Sequence, residues 1–144
     1  MTRARNAVSS RPWWAWLAGG IAVAFGIATI LSGGRVLFGG EAARASAGAY
    51  VSFVLWFNFA AGFAYVVAGA GLLLWRPWAA RLSMAIAVAT VAVAIAFAIH
   101  VLGGGAFEMR TVGAMALRGA VWIIIAGLAC WTLGCLRPSG RPSV

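Results

Sequence analysis

The chain has 144 residues, the length of a single domain, but 64% of them are hydrophobic, only 9% are charged, and the mean hydropathy is +0.98. A soluble domain carries about 25% charged residues, and one of this size could not hide so much apolar surface, so the expected solvent is a bilayer. The net charge of +9 does not imply nucleic acid, because the arginines form no basic face. They punctuate long apolar runs, as positive charge does in membrane proteins.

A membrane-spanning helix needs about 20 mostly apolar residues. The first run that meets this is WWAWLAGGIAVAFGIATILSGG, residues 13–34, after a basic tail over residues 1–12. It exceeds the roughly 7–15 apolar residues of a cleaved signal and reads as a retained helix. Gly20, Ala24, Ala28 and Ser32 form a small-residue ladder at four-residue spacing, the expected packing face for a helix in lipid. The segment RVLFGGEAARASAGA reads as a connecting loop and carries Glu41.

The second span covers residues 50–75, with Ala60, Ala64 and Ala68 as its ladder and Gly62 and Gly69 beside it. The short Arg76-Pro77 turn follows, since proline cannot continue one helix but fits the first turn of the next. The third span, residues 78–102, contains AIAVATVAVAIAFAI, whose period of two suggests a strand. Both sides of that alternation are apolar, and an open strand in hydrocarbon leaves its backbone unpaired, so the expectation is again a helix. The turn GGGAFEMR precedes the fourth span, residues 111–136, and a tail over residues 137–144 ends the chain.

These elements predict an all-α fold. It is an integral-membrane, antiparallel four-helix bundle in one membrane domain, residues 13–136. Arg3, Arg5, Arg11, Arg76, Arg81, Arg137 and Arg141 fall at one end, against Arg35, Arg44 and Arg110 at the other, with Arg118 inside the last span. The positive-inside rule then puts both termini in the cytoplasm. Trp13, Trp14, Trp16, Trp75, Trp78 and Trp131 gather at that same boundary, where interfacial tryptophans belong.

Polar groups at membrane depth are costly and so mark candidate sites. Asn58 and Tyr65 are seven residues apart, hence on one helical face; Asn58 either holds a ligand or ties two helices together. Glu108, Thr111, Met115, Arg118 and Trp122 fall on one stripe of the fourth span. Arg118 lies about two turns into the span and needs a partner. Ten residues from Glu108, it is beyond i,i+4 reach, leaving Glu41, a ligand anion, or snorkelling to the interface.

Glu41, Asn58, Tyr65, His100, Glu108 and Arg118 are therefore the candidate lining of an outer-face pocket. His100 with Glu41 and Glu108 is also a candidate metal set, although a histidine at a helix end is more often a hydrogen-bonded interfacial residue. Cys130 and Cys135 lack the CxxC spacing of a thiol oxidoreductase. Five residues of helix separate them by about 140°, so they are expected to be reduced, small apolar residues. No phosphate loop, nucleophile elbow or zinc motif occurs, and no catalytic residue is expected.

ILSGGRVLFGG, AGFAYVVAGAGLLLWRPWAARLSMAIAVATVAVAIAFAIH and GGGAFEMR together resemble the DoxX-like group of small four-helix bacterial membrane proteins. The resemblance covers most of the chain from Trp16 onward. It implies residence in the bacterial inner membrane as an accessory or membrane subunit tied to redox and quinone processes. The associated cofactor would be a quinone, and the partner a membrane or periplasmic redox protein. The chain departs from that group at Tyr65, where such proteins often carry an acidic residue. The second functional class consistent with the pattern is a small homo-oligomeric transporter or channel, with Arg118 and Glu108 as its working charges.

Overall fold

Residues 12–133 are described by the computed structural model, and they form five helices with no strand among them. These are α1 (Trp13–Phe38), α2 (Gly40–Ala47), α3 (Ser52–Leu73), α4 (Pro77–Leu102) and α5 (Met109–Leu133). All but α2 are long and apolar enough to cross a membrane. At ~1.5 Å per residue, 22 to 26 residues reach ~33–39 Å, against ~30 Å of hydrocarbon. Leu17, Leu31, Ile95, Ile99 and Ile124 are exposed, an arrangement suited to lipid and costly in water. The chain is thus an all-α protein with the build of a multi-pass membrane protein.

The helix ends follow local chemistry. Pro77 occupies the first turn of α4, where its missing N–H costs nothing. The connection expected as a loop after residue 34 is different: α1 runs on to Phe38, and EAARASA forms α2. Alanine, glutamate and arginine are good helix formers. Gly40 and Gly48, at φ 79° and φ 67°, bracket the segment with a backbone conformation that disfavours other residues.

Close packing joins α1 to α3, α3 to α4 and α4 to α5. The pair α1 and α5 lacks a comparable backbone approach. The α1–α3 contact is the tightest. Gly19 lies against Gly69 and Gly26 against Gly62, so closely that a Cβ on Gly26 would stand 2.8 Å from the Gly62 carbonyl oxygen.

The packing face of α1 is therefore Gly19, Ala22, Gly26, Thr29 and Gly33. The expected ladder of Gly20, Ala24, Ala28 and Ser32 is not the packing face, with all four residues exposed. The helix is apolar on every side, so hydropathy could not choose between two small-residue stripes; backbone approach did. On α3, Ala60 is likewise exposed, whereas Gly62, Ala68 and Gly69 are buried.

Tyr65, Leu72 and Trp122 are fully buried in the main core, surrounded by alanines from all four long helices. A smaller cluster of Val51, Val54, Phe97 and Met115 packs nearer α2. Cys130 is disulfide-bonded, which corrects the expectation of reduced cysteines. The angular argument assumed a helix continuing to residue 136, while the described helix ends at Leu133; Cys135 lies outside the described residues.

A basic cavity under the short helix

Four segments surround a cavity of about 830 Å³ at the α2 end of the bundle. This lies within the ~300–1,000 Å³ of small-molecule sites. On α1, Thr29, Ser32 and Val36 line it, on the stripe that Phe25 begins at three- and four-residue steps. On α3, Val54, Leu55 and Asn58 form the back wall, and Thr111, Ala114 and Arg118 of α5 face it. Gly39, Ala43, Ser46 and Ala47, in and beside α2, form the roof. None of its lining comes from α4, so the cavity occupies the side of the bundle that α1 and α5 leave open.

Arg118 lies nine residues into α5, ~13 Å below the start of that helix at ~1.5 Å per residue. Its guanidinium carbon is 5.6 Å from the centre of the Phe25 ring. Its Nε is buried with no hydrogen-bond partner, and among the described residues no carboxylate pairs with it. Asn58 is only 9% exposed, and its Oδ1 is also without a partner. A buried polar atom without a hydrogen bond costs about 1–3 kcal/mol, so two such atoms on one cavity are a marked feature of this fold.

Beneath Arg118 lies a layer of aromatic rings. Phe25 stacks on Tyr65 with centroids 6.0 Å apart, and Tyr65 lies 4.7 Å from Trp122. The Tyr65 hydroxyl points at Thr90 of α4 without reaching hydrogen-bond geometry. Tyr65 and Trp122 are both fully buried and do not line the cavity; they belong to the core layer beneath Arg118, which itself forms the floor.

The upper rim is held by the turn before α5. Glu108 Oε1 accepts the Ala49 N–H at 3.0 Å. Arg110 Nη2 donates to the carbonyl oxygens of Ser46 and Ala47 at 3.3 and 3.4 Å, capping the C-terminus of α2, where a cation is favoured. Gly48 sits against the Glu108 carboxylate, where a Cβ would collide with it.

Of the residues singled out from the sequence, Asn58, Glu108 and Arg118 meet in this cavity. Tyr65 lies one layer deeper. Glu41 is exposed and does not line the cavity, because Ala43 and Ala47 take the cavity-facing side of α2. Of the three alternatives for Arg118, pairing with Glu41 is therefore not the one the structure shows. His100 is turned away, its Nε2 3.2 Å from the Ala106 carbonyl oxygen and its ring edge-on to Phe53. Consequently His100, Glu41 and Glu108 are not brought together, and no group of three metal-ligating side chains occurs among the described residues.

Thr29, Arg35 and Arg110 line the cavity but did not stand out in the sequence. For Thr29 the signal was available in its spacing from Phe25 and Ser32 on one face. Arg35 and Arg110 read equally well as interfacial punctuation. Comparison with family models, curated proteins and solved structures finds no match to this chain, so the resemblance to the DoxX-like group rests on sequence pattern alone.

Proposed function

We propose that this chain is an accessory binding subunit of a membrane, not a catalyst, and that its cavity holds the acceptor oxygens of a small ligand on Arg118. The observation that carries the reading is the Arg118 Nε, buried at the cavity floor with no partner. A guanidinium at membrane depth is expensive unless something compensates it. The cation–π contact with Phe25 contributes about 0.5–2 kcal/mol and leaves its donors unused.

In this reading the four long helices form an antiparallel bundle with both termini in the cytoplasm and the cavity on the outer side. The pairing of Gly19 with Gly69 and Gly26 with Gly62 supports the antiparallel course, and the arginine distribution supports the orientation. The DoxX-like resemblance adds a bacterial inner-membrane setting, a redox partner protein and a quinone as ligand, whose carbonyls are acceptors of the required kind. The transporter reading draws on the same charges, but it requires the Tyr65–Trp122 layer to open.

The test is titration of the detergent-purified full chain with a short-chain quinone and with glycerol phosphate, followed by calorimetry. One of the two binds, and Arg118→Ala weakens that binding at least tenfold while Glu41→Ala leaves it unchanged. Binding of neither probe, or equal binding by Arg118→Ala, overturns the reading.

A further inference from the structure

Resting on that reading, we infer that the ligand is an anionic amphiphile. Its phosphate or carboxylate sits on Arg118 and Asn58, and its apolar tail leaves the bundle sideways between α1 and α5. Charge selects the headgroup. Three arginines, Arg35, Arg110 and Arg118, line the cavity against one carboxylate, Glu108; Arg110 and Glu108 are both engaged at the rim, by the Ser46 and Ala47 carbonyls and by the Ala49 N–H, which leaves Arg35 and Arg118 as the surplus charge. A guanidinium presents a fork of donors that matches carboxylate and phosphate. Its attraction for an anion grows where water and salt are excluded. A neutral carbonyl gains only the weaker attraction of a dipole for the surplus positive charge.

Asn58 provides an independent indication. It is more than nine-tenths buried, lines the cavity and has an unpartnered amide oxygen. That oxygen suits the hydroxyl of a headgroup, while its amide nitrogen suits the anion.

The shape of the cavity supplies the tail. α1 and α5 approach each other less closely than α1 and α3, α3 and α4, or α4 and α5 do. Ser32 both lines the cavity and is exposed, so the cavity is open along the α1 edge of this gap. Val36 and Ala114 flank this gap with apolar side chains, and Val54 and Leu55 continue the apolar lining across the back wall. A soluble anion would need only the charged floor, whereas the apolar wall and sideways opening fit a molecule already dissolved in the bilayer.

The experiment places the full chain in phosphatidylcholine nanodiscs and measures bound phosphatidylglycerol by native mass spectrometry, with soluble glycerol phosphate as a parallel probe. Ser32→Phe fills the opening from an exposed position, so it does not disturb the α1–α3 contact. Arg118→Lys keeps the charge but loses the fork. The expected result is retention of phosphatidylglycerol by the wild type, a fall of at least tenfold in Arg118→Ala and Ser32→Phe, and an intermediate fall in Arg118→Lys. If glycerol phosphate binds and phosphatidylglycerol does not, the binding reading stands and the amphiphile inference fails. If only a short-chain quinone binds, the inference also fails, because the site then takes neutral acceptors. If no probe binds, both are overturned.

Discussion

The guanidinium carbon of Arg118 stands 5.6 Å from the centre of the Phe25 ring, and that ring is stacked on Tyr65. The cavity's deepest charge is therefore carried on a pile of aromatic rings. Phe25→Leu keeps most of the buried area but removes the quadrupole facing the cation. The expected loss is about 0.5–2 kcal/mol, read as a lower unfolding temperature in detergent. In an Arg118→Met background the same substitution should cost measurably less, and a double-mutant cycle with no coupling would refute the interaction.

Tyr65 separates packing from polarity. Its hydroxyl is buried without a hydrogen-bond partner, so Tyr65→Phe should leave stability unchanged or slightly raise it. Tyr65→Ala removes a ring packed between Phe25 and Trp122 and should cost about 3–5 kcal/mol. Thermal unfolding of the two variants checks this; a large loss in Tyr65→Phe would show that the hydroxyl is structurally used.

The α1–α3 contact has no room for a side chain. Gly26→Val drives methyl groups into Gly62 and Val66 and should force the helices apart, giving little monodisperse protein on size exclusion. Gly20 has nothing within 4 Å of its Cβ position. Gly20→Ala should be tolerated and should gain roughly 0.5–1 kcal/mol in helix propensity. Equal behaviour of the two variants would place the contact on the wrong face of α1.

The α2 roof hangs on Glu108 and Arg110. Arg110→Ala and Glu108→Ala should each speed amide exchange at residues 46–49, measured by hydrogen–deuterium exchange, without changing exchange in the middle of α3. Gly48→Ala should act in the same place, since φ there is 67° and the Glu108 carboxylate fills the space.

Orientation has its own measurement. In a cysteine-free background, Ser46→Cys should react with a membrane-impermeant maleimide added outside intact cells, and Trp78→Cys, at an exposed position at the other end of the helices, only after permeabilisation. The reverse pattern would invert the topology and place the cavity on the cytoplasmic side.

The long helices were legible because length and hydropathy suffice to define them in a bilayer. The Asn58–Tyr65 face and the Arg118–Trp122 stripe were legible because polar and bulky residues interrupt an otherwise uniform pattern. The packing face of α1 was not. Gly19, Gly26 and Gly33 compete with Gly20, Ala24, Ala28 and Ser32 on a helix with no polar side, and only a partner backbone decides between them. The short helix α2 was hidden in a stretch too polar and brief for periodicity to register. Glu41 stayed open as a counter-charge of Arg118, beside a ligand anion and snorkelling, because a sequence shows how many carboxylates exist, not which face of a short helix carries them.

Glu108, Arg110 and Arg118 sit at or just before the first nine residues or so of α5 and serve opposite ends of one cavity, the first two holding its roof and the third forming its floor. The eight residues from Arg110 to Arg118 fix a spacing of ~12 Å along the axis. The helix is thus a rigid strut between floor and lid. Any slide or tilt of α5 changes the position of both together, and the height of the chamber is set by one helix rather than by the bundle around it.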